Sequence, residues 1–228
     1  MRYAIEPASV ASLPIQGSDA RFPVHRIYCI GRNYAEHARE MGAEVVSRGN
    51  PVFFLKPADA IVTDNEVPYP SVTRELHHEV EMVVALSSGG RAIDGARALQ
   101  CVFGYGVGLD LTRRDLQAAA KAKGLPWDTA KAFDASAPVS ALRAASEIGH
   151  PARARLSLHV NGEPHQDTDI AEMIFPVAEI IAELSKLFEL KPGDLIFTGT
   201  PAGVGPLVRG DHFVAELAGV ARLEGRIA

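Results

Sequence analysis

Apolar residues run through this chain in short blocks. Arg26-Ile27-Tyr28-Cys29-Ile30 is a β-rich apolar run that predicts a buried strand ended by Gly31. Asn33 stands where a cap would open a helix over residues 34–41, with Gly42 as its stop. Residues 51–55 predict a second apolar strand leading into Lys56-Pro57. Residues 78–86 alternate: Val80, Met82, Val84 and Leu86 fall on one face of a strand, and Glu79 and Glu81 on the other. Residues 102–109 predict another strand, interrupted by Gly104, Gly106 and Gly108, as at a bulge or a close backbone approach.

Helical spacing takes over in two further places. Thr112 and Asp115 have capping-box spacing, Leu116, Ala119 and Ala120 supply an apolar stripe, and Gly124 closes the turn ahead of Pro126. From Pro176, the positions Val177, Ile180, Ile181, Leu184, Leu187 and Phe188 keep a helical period. Residues 191–194 read as a turn, 195–197 as a strand and 198–205 as a glycine-rich loop. Many short strands with a few helices between them predict a β-rich α+β fold rather than regular βαβ alternation.

Length and composition narrow the function classes. The 228 residues suffice for one domain with a substantial core. They divide into an N-terminal segment, residues 1–25, broken by Pro7, Pro14, Gly17 and Pro23, and a single domain over 26–228. A net charge of -5 and the lack of a Lys/Arg cluster argue against nucleic acid as a partner. No apolar run approaches the ~20 residues that cross a bilayer. With no secretory start in the first 17 residues, the expectation is a cytoplasmic protein without a membrane partner. Cys29 and Cys101 lie outside any paired motif and read as buried, reduced thiols.

The chemistry sits in the carboxylates. Glu79 and Glu81 share a strand face, and their repulsion is relieved either by solvent or by a hard divalent cation. Asp110, at the end of the glycine-bearing strand, is placed either to complete an oxygen-ligand triad or to cap the helix that follows. His37 and Glu40 lie three apart on a helix, as a surface pair or as a carboxylate-oriented imidazole base.

The segments Gly31-Arg32-Asn33-Tyr34-Ala35-Glu36-His37-Ala38-Arg39-Glu40, Phe54-Leu55-Lys56-Pro57, His78-Glu79-Val80-Glu81, residues 104–115, Lys131-Ala132-Phe133-Asp134 and residues 190–205 stand together in one order. That set, spanning residues 26–211, resembles the fumarylacetoacetate hydrolase family. The resemblance implies a mixed β-sheet roll, usually a homodimer. It implies Mg²⁺ or Mn²⁺ on Glu79, Glu81 and Asp110, a water-activating dyad of His37 and Glu40, and Lys131 as a cation near the reacting oxygens. Arg32, Lys56, Arg114, Gln117 and Thr200 would meet the substrate, with residues 43–50 beside it. The family holds hydrolases, decarboxylases, dehydratases and isomerases. Presence of both His37 and Glu40 favours its hydrolases. Residues 27–34, 76–79, 108–117 and 198–207 resemble its fumarylpyruvate-cleaving branch. The expected activity is therefore hydrolysis of a C–C bond in a dicarboxylate diketo acid, fumarylpyruvate, in gentisate degradation. The alternatives are other acylpyruvase action, oxaloacetate decarboxylation, and isomerisation or hydration.

Overall fold

Val80–Leu86 is the strand on which the fold is built. The computed structural model describes residues 2–40 and 50–228. In it all seven residues of this strand are buried. Val80, Met82, Val84 and Leu86 enter one apolar core, and Val83 and Ala85 enter a second. The face that carries Glu79 and Glu81 therefore runs into protein, and solvent is not what relieves those charges.

Six strands form the central sheet, in the order Arg143–Ala144, Val102–Leu109, Val80–Leu86, Asp194–Phe197, Arg26–Gly31, Val52–Lys56. Only the pairing of Asp194–Phe197 with Arg26–Gly31 is parallel. The glycines of Val102–Leu109 mark close approaches, as their spacing suggests. A Cβ on Gly104 would collide with the Arg143 carbonyl, and one on Gly106 would lie 3.0 Å from Ser140 Oγ. The register also shifts between Ala85 and Leu86.

A five-stranded sheet covers one face, in the order Glu163–Asp169, Arg155–Val160, His212–Leu217, Ala221–Ile227, Glu66–Val67. Leu156, Leu158, Phe213, Ala215 and Leu217 carry its side of the larger core. On the opposite face the N-terminal hairpin Ser12–Ile15 with Ser18–Pro23 lays Leu13 and Phe22 into the smaller core. The molecule is an α+β protein of mixed sheets with few helices. Cys29 and Cys101 are both buried and unpaired.

Two expected caps have other roles. The first helix spans Ala35–Glu40, but Asn33 is no cap. Its Oδ1 accepts from the Phe175 N–H at 2.7 Å, and its Nδ2 donates to the carbonyls of Phe175 and Thr198 at 3.0 and 2.8 Å. The helix after Asp110 starts at Arg114, so Thr112 is too far upstream to cap it and pairs with His77 in a short strand. Asp115 instead accepts from Thr73 Oγ1 at 2.6 Å and from the Arg74 N–H at 3.1 Å. Helix Val177–Leu187 begins after Pro176 and buries Val177, Ile180, Ile181 and Leu184. Leu187, in the final turn beyond the core, is 63% exposed. Phe188 leaves the helix in an extended conformation and packs on Tyr28. The helix end expected at Met41 and Gly42, and residues 43–49, lie outside the described residues.

Candidate metal centre and active site

Strand register assembles the acidic cluster. Val80 pairs with Leu109 and Glu81 with Gly108, and the Asp110 N–H donates to the Glu79 carbonyl at 2.9 Å. Glu79, Glu81 and Asp110 thus converge at the end of two adjacent strands. They are buried, with one carboxylate oxygen of each within 4.8 Å of the others. Gly108 keeps the strand close to its cover: a Cβ there would lie 2.9 Å from the Pro138 carbonyl and 3.0 Å from Phe197 and Val83.

Three cations are set against these three carboxylates. Lys131, in the last turn of helix Asp128–Lys131, donates to Glu79 Oε2 at 2.8 Å and to Asp110 Oδ2 at 2.6 Å. Arg114 Nη2 donates to Glu79 Oε1 at 2.6 Å while its Nη1 donates to Gln117 Oε1 at 2.7 Å. Lys56 is buried behind Asp110, 2.9 Å from Oδ1, and donates to the Leu111 and Lys131 carbonyls. Burial works against the Glu79 charge, but Lys131 and Arg114 hold its carboxyl well below the usual range. Burial also disfavours the Lys131 ammonium, and Asp110 and Glu79 outweigh it. Glu81 differs. Burial, and then the Asp110 and Glu79 charges, drive its carboxyl up, opposed only weakly by Lys131 and a 2.6 Å bond from the Gly199 N–H.

The cluster is therefore short of positive charge at Glu81. Asp110 Oδ1, although near Lys56, has no aligned hydrogen-bond donor. Buried carboxylate oxygens with unmet demand for a cation are the donor set of an Mg²⁺ or Mn²⁺ site. The chain's own residues fit such an ion.

A cavity of about 380 Å³ opens over the triad. Of the expected site residues, Arg32, His37, Arg114, Gln117, Lys131 and Thr200 line it with the three carboxylates. Two do not. Lys56 faces away, because strand Val52–Lys56 directs it at the back of Asp110, so it braces a carboxylate rather than meeting the cavity. Glu40 stands behind His37, its Oε2 3.4 Å from Nδ1, and the Gly203 N–H holds both of its oxygens at 3.2 Å. Burial pulls the His37 pKa below 6.5, against the opposing pull of Glu79 and Glu40, so the imidazole is neutral at neutral pH.

Behind the cavity wall a polar chain fixes Thr200. Its hydroxyl donates to the Val80 carbonyl at 2.9 Å and accepts from Gln166 Nε2 at 2.8 Å. Gln166 Oε1 accepts from the Val80 N–H at 3.0 Å and from His78 Nδ1 at 2.9 Å, which fixes the tautomer of that buried ring. Burial lowers the His78 pKa to about 4. His165 completes the chain, 3.4 Å from His78 Nε2. Val52, Phe54, Lys121 and Trp127 also line the cavity and were not anticipated. A signal for Lys121 exists, since Arg114, Gln117 and Lys121 follow one another at i, i+3 and i+7 on one helix face.

Residues 26–228 match the fumarylacetoacetate (FAA) hydrolase C-terminal family. The chain belongs to the fumarylacetoacetate hydrolase family. Among solved structures it resembles fumarylpyruvate hydrolase from Pseudomonas aeruginosa in complex with Mn²⁺ and pyruvate. That likeness has a TM-score of 0.97 at 48% identity and covers 100% of this chain and 99% of the other. Among curated proteins it is 46% identical over 202 residues to the mitochondrial oxaloacetate tautomerase FAHD1 of Mus musculus, covering 88% of this chain and 90% of that protein. It is 43% identical over 206 residues to oxaloacetate tautomerase YcgM of Escherichia coli (strain K12), covering 90% and 93%. The relatives thus include both a fumarylpyruvate hydrolase and oxaloacetate tautomerases. Among the described residues no helix is long and apolar enough to cross a membrane.

Proposed function

We propose that this chain is a divalent-metal-dependent hydrolase that converts fumarylpyruvate and water to fumarate and pyruvate. The observation that carries the reading is a buried acidic triad and a neutral, carboxylate-backed imidazole on the walls of one cavity. Glu79, Glu81 and Asp110 hold Mg²⁺ or Mn²⁺, which supplies Lewis acidity and a template for the 2-oxo acid end of the substrate. His37, with Nδ1 turned to Glu40, takes a proton from water at its other ring nitrogen. The resulting hydroxide adds to the distal carbonyl. Lys131, its ammonium secured by Asp110 and Glu79, offers positive charge to the developing oxyanion. Collapse breaks the C–C bond and releases fumarate, and the proton held on His37 passes to the pyruvate enolate carbon, which regenerates the neutral base. Thr200 and Gln117 set the cavity wall along which the substrate lies. The same reading places the enzyme in gentisate degradation and expects a homodimer, measurable by light scattering.

A second reading is oxaloacetate tautomerisation, favoured by the two tautomerase relatives. It uses the same base but needs no attacking water and releases no fragment. The deciding assay follows ultraviolet absorbance of fumarylpyruvate with chelator-treated protein, with and without Mg²⁺ or Mn²⁺, and identifies the products. Metal-dependent appearance of fumarate and pyruvate supports hydrolysis. Inert fumarylpyruvate with fast enol-to-keto conversion of oxaloacetate moves the assignment to the second reading. Release of CO2 from oxaloacetate would mark a decarboxylase.

A further inference from the structure

Two of the cavity's cations are not used by the triad. Arg114 is bonded to Glu79, and Lys131 to Glu79 and Asp110. Arg32 and Lys121 also line the cavity, and among the described residues neither has a carboxylate partner. Lys121 lies one turn beyond Gln117 on helix Arg114–Ala122, away from the strand end that carries the triad. Burial and then Arg114 work against its charge; Glu79 supports it, and Arg32 and Lys131 add to the opposition, so its pKa is lowered. Positive charge is in excess at this end of the cavity, whereas negative charge is in excess at Glu81.

An aromatic wall joins the two ends. Lys131 Nζ lies 5.0 Å from the Phe54 ring, Phe54 lies 6.2 Å from Trp127 at 58°, and Lys121 Nζ lies 5.1 Å over Trp127. A flat, conjugated chain has an apolar surface to lie against between a metal-binding pole and a cationic pole. Arg32 is held in place from behind. It adopts a left-handed φ of 61°, and the next residue, Asn33, is anchored to Phe175 and Thr198.

We propose that Lys121 and Arg32 form an anion subsite at the cavity mouth that receives the second carboxylate of the substrate, the one remote from the triad. This subsite makes the enzyme selective for dicarboxylate over monocarboxylate diketo acids. It deepens the proposed hydrolase function and rests on that reading for the identity of the diketo acid. Fumarate, the product fragment bearing that carboxylate, binds the same subsite.

Trp127 is the only tryptophan in the chain, so its fluorescence reports on the Lys121 end of the cavity. The test titrates Mg²⁺-loaded protein with fumarate and with crotonate, which has the same carbon skeleton and one carboxylate fewer. Wild type should bind fumarate about tenfold more tightly than crotonate, the scale of one charge-assisted contact. Lys121→Met should erase that preference without changing crotonate affinity, and Lys121→Arg should restore it. In turnover, Lys121→Met should raise KM for fumarylpyruvate by about tenfold with kcat little changed, and raise KM for acetylpyruvate far less. Equal loss for both acids, or no loss for either, would overturn the subsite. If wild type hydrolyses neither diketo acid, the hydrolase reading fails. A fumarate preference lost in Lys121→Met would still support the subsite.

Discussion

His37 gives the sharpest single-residue expectation. Its imidazole must be neutral to take a proton, and burial keeps its pKa below 6.5. The acidic limb of kcat/KM therefore has its midpoint below pH 6.5, and the rate levels off above that midpoint. A bound divalent cation would push the same way. His37→Ala should cost about a hundredfold to ten-thousandfold in kcat and remove that limb, as measured by pH–rate profiles. An unchanged profile in His37→Ala would transfer the base role elsewhere. Glu40→Gln, which keeps the Gly203 contact but loses the charge behind Nδ1, should shift the limb to still lower pH. These residues were legible in sequence because their geometry is local: His37 and Glu40 share one helix face, and Glu79 and Glu81 share one strand face. Lys56, expected to meet the substrate, faces the back of Asp110 instead of the cavity, because membership of a motif does not say which side of the strand a residue faces. Asn33 looks like a cap, but its amide partners are Phe175 and Thr198, far along the chain and invisible to local spacing.

Strands, not single side chains, bring Asp110 to Glu79. The register of Val80–Leu86 on Val102–Leu109 does so, and Gly108 lets that pair sit beneath Pro138 and Phe197. Gly108→Ala should lose about 1–3 kcal/mol of stability by overpacking, read from chemical denaturation. Because the same shift moves Asp110, Mn²⁺ affinity should fall in this variant although no ligand is touched. Wild-type metal affinity in a destabilised Gly108→Ala would show that the register is not what aligns the triad. Five strands of the central sheet were readable from their apolar runs, as was the helix after Pro176 from its period; the edge strand Arg143–Ala144, two residues long, was not. Most of the second sheet was not read. Its clearest marker is Asn161-Gly162, both at positive φ (53° and 85°), the two-residue turn joining Arg155–Val160 to Glu163–Asp169. His212–Leu217 and Ala221–Ile227 mix polar and apolar residues because one face meets the core and the other meets water. Helix Asp128–Lys131 is a single turn, too short to show a period, and so the position of Lys131 came only from the family resemblance.

Across the whole molecule, the site couples folding to metal. Three buried carboxylates stand against Lys131, Arg114 and Lys56, and Glu81 is the one least compensated. An ion that binds the folded chain and not the unfolded one stabilises it by RT ln(1 + [M]/Kd), about 2.7 kcal/mol at a hundred times Kd. Thermal unfolding in chelator should therefore occur at lower temperature than in saturating Mn²⁺, and Tm should climb with the logarithm of Mn²⁺ concentration. Glu81→Gln separates the two components of this effect. It removes the charge that burial, Asp110 and Glu79 disfavour, so the metal-free variant should melt at or above the wild-type temperature. It also removes a ligand, so added Mn²⁺ should no longer raise its Tm, and catalysis should be lost. A metal-free Glu81→Gln that melts well below wild type would mean that the Glu81 carboxylate is already neutralised within the chain. The demand for a cation would then have to be sought at Asp110 Oδ1 instead.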